Sequence, residues 1–426
     1  MDITRSKGLK GEITVPGDKS ISHRSIMLGA IAEGDTEVSG FLMGKDCLST
    51  IDCFRKMGVG IDVYEDSVIV HGRGLRGLKE PDGVLDCGNS GTTTRIISGI
   101  LAGQPFNTIL DGDESIRKRP MKRVIEPLSQ MGAKITSISN NGCAPLQISG
   151  EYHLKGIHYV SNIASAQVKS AILFAGLYAD SETSVTEPHL SRNHTEILMR
   201  AFGGTIKTSG STVTIIPGDT LHGHRIFVPG DISSAAYFIA AGLIVPNSEI
   251  LLKNVGYNPT RTGIITVAKE MGGDIEVSNE TNIDGGLSAD ILVRSSNLKG
   301  VTIQGDIIPT LIDELPVISV MAAYASGTTV VKDAAELKVK ESDRIKYMEE
   351  NLKAMGVDAR GTEDGMIIKG GKALHGTVIN TVNDHRIAMS MAIAGLGADG
   401  VTTIPDPSCV DISYPGFFDT LQQLQQ

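Results

Sequence analysis

The sequence predicts a mixed α/β (α+β) protein of two domains, each made of three repeated units whose central helices are buried among sheets. Three observations lead there. The tetrapeptide Val15-Pro16-Gly17-Asp18 returns as Val228-Pro229-Gly230-Asp231, half of the 426-residue chain later, so the chain looks like a duplicated half. Helical patterns closing on Met-Gly or Phe-Gly recur at 47–58, 121–132, 192–203, 261–272 and 342–356, and a sixth helix is expected at 415–426. A second, nearly uncharged helical pattern belongs to each unit, at 22–32, 92–102, 166–179, 233–244, 313–325 and 384–397. A helix that is apolar all round must be buried.

Each element has a local reason. The exposed helices stop where they do because glycine after the last periodic residue takes the left-handed conformation that ends a helix. Short β-rich stretches follow the uncharged helices at 36–38, 107–110, 183–186, 249–252, 328–331 and 401–404, and others such as 61–70 and 134–148 follow the exposed ones. Six units of roughly 70 residues each therefore account for the chain. With the two Val-Pro-Gly-Asp segments as crossovers, one domain spans 18–229 and the other joins 1–17 to 230–426, leaving a cleft between them for an active site.

Composition excludes several classes. The chain is 41% hydrophobic, so it can bury a sizeable core, yet it holds no run of roughly 18 apolar residues and no signal-like N-terminal stretch. No membrane role is expected. Five cysteines without a Cys-x-x-Cys pair point to a reducing cytoplasm. With 39 basic against 49 acidic residues, 4% aromatics and no Trp, the surface is wrong for nucleic acid.

Chemistry gathers where the uncharged helices begin. There stand Lys19-Ser20-Ile21-Ser22-His23-Arg24, Gly88-Asn89-Ser90-Gly91-Thr92, Ser165-Ala166-Gln167, Asp313-Glu314 and Asn383-Asp384-His385-Arg386. Taken singly, Ser, Thr and Asp at such places read as helix caps, and Arg119 or the Lys338–Arg344 charges as solvated surface. Taken together, helix N-termini with unpaired N–H groups and a partial positive charge form an anion-binding wall. Arg386 opens a helix that is otherwise uncharged, and its burial without an anion would be costly, so a bound anion is the better reading there.

These segments closely resemble the EPSP synthase family of enolpyruvyl transferases along essentially the whole chain. The resemblance rests on Gly17-Asp18-Lys19-Ser20-Ile21-Ser22-His23-Arg24, Gly88-Asn89-Ser90-Gly91-Thr92, Gly112-Asp113 through Arg119-Pro120-Met121, Val339-Lys340-Glu341-Ser342-Asp343-Arg344 and Asn383-Asp384-His385-Arg386, in order. It implies a two-domain inverse α/β barrel-like fold with three βαβαββ units per domain and buried parallel helices. It also implies transfer of the enolpyruvyl group of phosphoenolpyruvate (PEP) to the 5-hydroxyl of shikimate 3-phosphate, with release of phosphate. By residue-by-residue match, Lys19, Gly91, Arg119, Gln167, Arg344 and Arg386 hold PEP. Lys19, Ser20, Arg24, Ser165, Ala166, Gln167, Arg192, Asp313 and Lys340 hold shikimate 3-phosphate, and Asp46, Thr92 and His385 support them. Asp313 is the match for the base that takes the hydroxyl proton, and Glu341, with Lys19 as helper, for the group that protonates and later deprotonates C3 of PEP. No metal and no organic cofactor is implied, and the expected state is a cytoplasmic monomer. Glyphosate is implied as a competitor of PEP.

Departures from the family pattern bear on the grip. Ser165-Ala166-Gln167 stands where many members have Ser-Ser-Gln, so a hydroxyl for the 3-phosphate is missing and Arg192 would compensate; a Lys that often precedes the last Ser/Thr-aromatic-Pro is absent from Cys409-Val410-Asp411-Ile412-Ser413-Tyr414-Pro415. Two alternatives remain at this point: the related UDP-N-acetylglucosamine enolpyruvyl transferase, against which Lys19-Ser20 argues, and a non-catalytic anion-binding repeat protein, which would not need Asp313 and Glu341.

Overall fold

The computed structural model describes residues 1–151, 153–283 and 286–425. Twelve α-helices stand among the described residues: α1 (Lys19–Ile31), α2 (Lys45–Lys56), α3 (Gly91–Ala102), α4 (Lys122–Gln130), α5 (Ala166–Gly176), α6 (His194–Ala201), α7 (Ile232–Ile244), α8 (Gly263–Glu270), α9 (Leu315–Tyr324), α10 (Arg344–Ala354), α11 (His385–Gly395) and α12 (Phe417–Leu424). The odd-numbered helices are the nearly uncharged patterns and the even-numbered ones from α2 to α10 the glycine-stopped patterns, with α12 the sixth of that series. α7, whose sequence ISSAAYFIAAGLI carries no charge, is buried from Ile232 to Leu243, and α11 is buried throughout. Small residues let such helices touch: a Cβ on Gly99 of α3 would lie 2.0 Å from the Ala171 carbonyl oxygen of α5.

Among the described residues the strands form five four-stranded sheets and one two-stranded pair. Around α5 the order is plain. His158–Val160 runs parallel to Thr183–Thr186, the two being joined through α5; α6 follows, and Thr205–Ser209 and Thr212–Ile216 close the sheet as an antiparallel hairpin. This is a βαβαββ unit, and the sheets around α3 and α9 repeat it.

The other sheets exchange strands. Lys10–Thr14, which precedes α1, pairs in parallel with Glu249–Gly256 after α7, whereas Arg225–Phe227, which precedes α7, pairs with Asp35–Ser39 after α1. Each exchange is made at a Val-Pro-Gly-Asp segment. Gly17 is obligatory there, because a Cβ would sit 1.8 Å from the Gly40 carbonyl oxygen. The sixth unit is completed by the chain's first strand: Asp2–Thr4 pairs antiparallel with Val401–Thr403.

The chain divides into two compact units: Gly17–Val228 with Ile283 and Gly286, and Met1–Pro16 with Pro229–Asn282 and Leu287–Gln425. Each has its own apolar core, one running from Ile21 to Val228, the other combining Ile3–Val15 with Ile232–Leu424. No helix among the described residues is long and apolar enough to cross a membrane.

Helix boundaries depart from the sequence reading in ways that matter for the site. α1 starts at Lys19 rather than residue 22, since the Asp18 side chain caps the Ile21 N–H at 2.9 Å. Lys19 and Ser20 thus lie in a helical first turn. α9 starts at Leu315 rather than residue 313, so Asp313 lies just outside the helix and Glu314 at its cap.

Candidate active site

In the 17–228 unit the first turns of α1, α2, α3 and α5 carry the polar residues. Lys19 forms an ion pair with Asp46, which lies in the first turn of α2 and is buried. Arg24, 2% exposed, donates to Thr195 Oγ1 at 2.6 Å, to Ser170 Oγ at 2.9 Å and to the Ser20 carbonyl at 2.9 Å. Arg192 reaches Ser20 Oγ at 3.4 Å. One guanidinium thus holds the start of α1 from inside and another touches it from the loop before α6.

The Gly88–Thr92 loop is shaped by two further arginines. A Cβ on Gly91 would stand 2.9 Å from Arg119 Nη1 and 3.0 Å from Arg95 Nη1, so the absent side chain is what admits both guanidinium groups. Arg119 donates to Asn89, through the carbonyl at 3.2 Å and Oδ1 at 3.3 Å, and Asn89 in turn donates to Asp113 at 2.8 Å. Arg95 donates to Gln167 Oε1 at 2.6 Å and to the Pro120 carbonyl at 3.2 Å, while Gln167 donates to Thr92 Oγ1 at 3.0 Å. Gln167, Thr92, Gly91 and Arg119 are therefore brought into one cluster, with Arg95 at its centre. Beneath it runs a chain of short hydrogen bonds, His23 Nδ1 to Thr50 Oγ1, Thr50 to Thr93, and Thr93 to Ser90, each 2.7 Å. Burial, and then the charges of Lys19 and Arg24, push His23 well below the usual histidine range, so it is neutral at pH 7.

Ser165 and Ala166 stand differently. Ser165 caps α5, and its own N–H donates to Glu187 Oε1 at 2.9 Å; Ala166 is the first residue of the helix.

In the unit that holds 229–282 and 287–425, the residues gather before α9, α10 and α11. Asp313 faces Lys340 Nζ at 3.2 Å and Arg344 Nη1 at 3.6 Å. Arg344, buried at the first position of α10, is also paired with Glu341 and held by both oxygens of Asp384, at 2.9 and 3.2 Å. Burial alone would raise the Asp384 carboxyl, but Arg344 outweighs it and holds the group below the usual carboxylate range. Asp384 also caps α11 through the Arg386 N–H at 2.9 Å, and His385 is buried beside it.

Arg386 corrects one expectation. Its burial does not by itself require a bound anion, because Nη1 donates to the Asp313 carbonyl at 3.1 Å and lies 4.0 Å from the fully buried Glu314. Glu314 is also hydrogen bonded to Ser233, which accepts from Arg261 at 2.7 Å, and Asp231 lies 3.5 Å from Arg261. Carboxylates of this same unit thus stand close to its arginines.

Sequence reasoning missed Arg95, Arg261 and a buried cluster of Lys169, Glu187 and Glu196, and it named Glu314 only within the Asp313-Glu314 pair at a helix start, without a role. The signal used for Arg386, a lone charge in an otherwise uncharged helix, would have found Arg95 and Lys169. Nothing local marks Arg261, Glu187 or Glu196, whose partners lie on other elements. Among the described residues no three of His, Cys, Asp and Glu come together as a metal-ligand set.

Repeated α/β units that bring cations and carboxylates to the starts of buried helices define an enzyme of the kind that handles small polyanions by proton transfer. The family profile for EPSP synthase (3-phosphoshikimate 1-carboxyvinyltransferase) matches residues 3–421. Proteins named 3-phosphoshikimate 1-carboxyvinyltransferase from Thermoanaerobacter sp. (strain X514) and Brevibacillus brevis are each 55% identical over 424 residues, with 100% of this chain and 100% and 99% of theirs covered. A solved EPSP synthase structure from Acinetobacter baumannii superposes with a TM-score of 0.88 at 47% identity, covering 99% of this chain and 97% of that one. The chain belongs to the EPSP synthase family, with the two-domain α/β fold of that family, and is a transferase.

Proposed function

We infer that the residues described above perform the family's reaction, in which the enolpyruvyl group of PEP passes to the 5-hydroxyl of shikimate 3-phosphate and inorganic phosphate is released. The observation that carries the assignment is the sharing of Arg344 by two carboxylates, Asp313 at 3.6 Å and Glu341 in an ion pair. The chemistry needs a base and an acid on one pair of reacting carbons, and a common guanidinium keeps the two groups close.

Asp313 takes the 5-hydroxyl proton as that oxygen attacks C2 of PEP, while C3 receives a proton from Glu341, assisted by Lys19. In the tetrahedral adduct the C–O bond to phosphate then breaks as a C3 proton returns to the same group, which restores the double bond. The hydroxyl proton taken up by Asp313 is passed on to the phosphate product, so both carboxyl groups return to their starting state. Lys19, Arg119, Arg344 and Arg386, with Gln167 and the open Gly91 position, take the phosphate and carboxylate of PEP, for which arginine's paired donors are suited. Ser20, Arg24, Ser165, the Ala166 backbone, Gln167, Arg192 and Lys340 take shikimate 3-phosphate. Asp46 orients Lys19, Thr92 orients Gln167, and His385 supports the start of α11. In this reading the two compact units act on one pair of substrates. The enzyme works as a cytoplasmic monomer without nucleic acid, in keeping with its net charge of −10. The UDP-N-acetylglucosamine reaction is not favoured.

Phosphate release from PEP decides the matter. Release should appear only when shikimate 3-phosphate is also present; release without it, or none with it, would overturn the assignment.

A further inference from the structure

The buried cluster in the 17–228 unit has no part in the chemistry above, yet it touches two of the segments that chemistry uses. Lys169 on α5 is 1% exposed, with Nζ 3.0 Å from Glu187 Oε2 and 2.8 Å from Glu196 Oε1. One lysine among two buried carboxylates leaves an excess negative charge, and buried ion pairs of this kind are weak stabilisers because desolvation opposes them. What the cluster supplies is geometry. Glu187 Oε1 accepts the Ser165 N–H at 2.9 Å, and Oε2 accepts the Ser191 hydroxyl at 2.7 Å and lies 3.4 Å from the Ser191 N–H. Lys169 itself donates to the Ser191 carbonyl at 3.4 Å.

Glu187 therefore uses one carboxyl oxygen for the start of α5 and the other for the residue next to Arg192. It also occupies the Ser165 N–H, so this donor at the α5 terminus is turned away from any ligand, and the Ser165 hydroxyl and the N–H groups that follow it remain. Glu196 belongs to the same cluster but does neither. Its second oxygen, Oε2, makes no hydrogen bond among the described residues.

We propose that Glu187 is a positioning residue for the phosphate subsite of shikimate 3-phosphate, setting Arg192 and the first turn of α5 at the separation that a phosphate group bridges. This rests on the functional reading given above. A Glu187→Gln change keeps the shape and the acceptor for Ser165 but turns an amide NH₂ toward Lys169 and the Ser191 hydroxyl, so buried donors face one another.

The test is calorimetric titration of shikimate 3-phosphate into the full chain, with steady-state kinetics for both substrates. Glu187→Gln should raise the dissociation constant for shikimate 3-phosphate roughly tenfold while the Michaelis constant for PEP stays within about twofold. Glu196→Gln removes the same charge from the same cluster and should leave both constants within about twofold of wild type. Equal shifts in the two variants, or none in Glu187→Gln, would overturn the proposal, because the cluster would then act through its charge or its packing alone. Ser191→Ala, which removes the loop's hydroxyl hold on Glu187, should weaken binding in the same direction; should Glu187→Gln fail to fold, unchanged binding in Ser191→Ala overturns the proposal instead. In an Arg192→Ala background the Glu187→Gln effect should shrink to the part that acts through the first turn of α5, and full additivity would contradict action through Arg192. Wild-type protein that does not bind shikimate 3-phosphate would reject the functional reading itself and this proposal with it.

Discussion

The arginine contacts described for the two compact units differ in kind. In the 17–228 unit Arg24, Arg95, Arg119 and Arg192 donate to hydroxyl, amide and carbonyl oxygens. In the other unit Arg344 is surrounded by Asp313, Glu341 and Asp384, and Arg261 by Asp231 and Glu314. A neutral acceptor fixes a guanidinium without cancelling its field, whereas a carboxylate cancels part of that field and is itself held at a defined place. On the functional reading proposed above, the first set serves grip, and the second, besides gripping through Arg344 and Arg386, adds the carboxylates that move protons.

The largest expected effect tests the proton-moving side. Asp313→Asn keeps an acceptor beside Lys340 but cannot take a proton, so turnover should fall about 10²–10⁴-fold while shikimate 3-phosphate still binds. Near-normal turnover in single-turnover assays would remove Asp313 from the mechanism and, with it, the contrast between the units.

A stability effect comes next. Asp384→Asn strips the buried Arg344 of its bidentate partner and should destabilise the protein by about 3 kcal/mol, read from denaturant unfolding. The pH dependence has a definite sign. The folded-state Asp384 carboxyl lies below its unfolded value, so its contribution is present above the ordinary carboxylate range and is lost as pH falls through the lowered value. Wild type should therefore lose its advantage over Asp384→Asn on acidification below about pH 4, and a constant difference down to low pH would contradict the pairing.

On the gripping side, Gly91→Ala would press on the tips of Arg119 and Arg95, which are flexible and can yield by a few tenths of an ångström. The Michaelis constant for PEP should rise several-fold, and the inhibition constant for glyphosate, the longer anion, by a larger factor of roughly tenfold or more. Equal shifts in parallel titrations would mean that Gly91 does not border the bound anion.

The smallest effect belongs to the support. Thr50→Val interrupts the chain from His23 to Ser90 and should cost about 1–2 kcal/mol of stability, with turnover within about twofold. A large loss of turnover at unchanged stability would move this chain from scaffold to chemistry.

What the sequence disclosed follows from the same division. Helices of both kinds were legible because their signals are local: an absence of charge marks α7 and α9, and a closing glycine marks α2 and α10. The anion-directed residues at helix starts were legible for the same reason, as motifs of consecutive residues. The strand exchange at the crossovers was not, because Lys10–Thr14 and Glu249–Gly256 carry ordinary strand composition and nothing in either names its partner. Glu187 was missed, and Glu314 left without a role, because a glutamate reads as surface until the lysine or arginine it meets on another element is known. The premise that Arg386 lacked an anionic partner in the chain erred in the same way, since Glu314 is 72 residues away.

The strand exchange also sets an order on synthesis. As the chain leaves the ribosome, the 17–228 unit acquires the last strand it needs, Arg225–Phe227, before any partner of the leading segment has been made. Lys10–Thr14 must wait for Glu249–Gly256, and Asp2–Thr4 for Val401–Thr403, almost the full length of the polypeptide. These leading strands are thus among the last to find their place, and a nascent chain stalled near residue 240 would carry one finished sheet system and two unpaired strands exposed to whatever else is in reach.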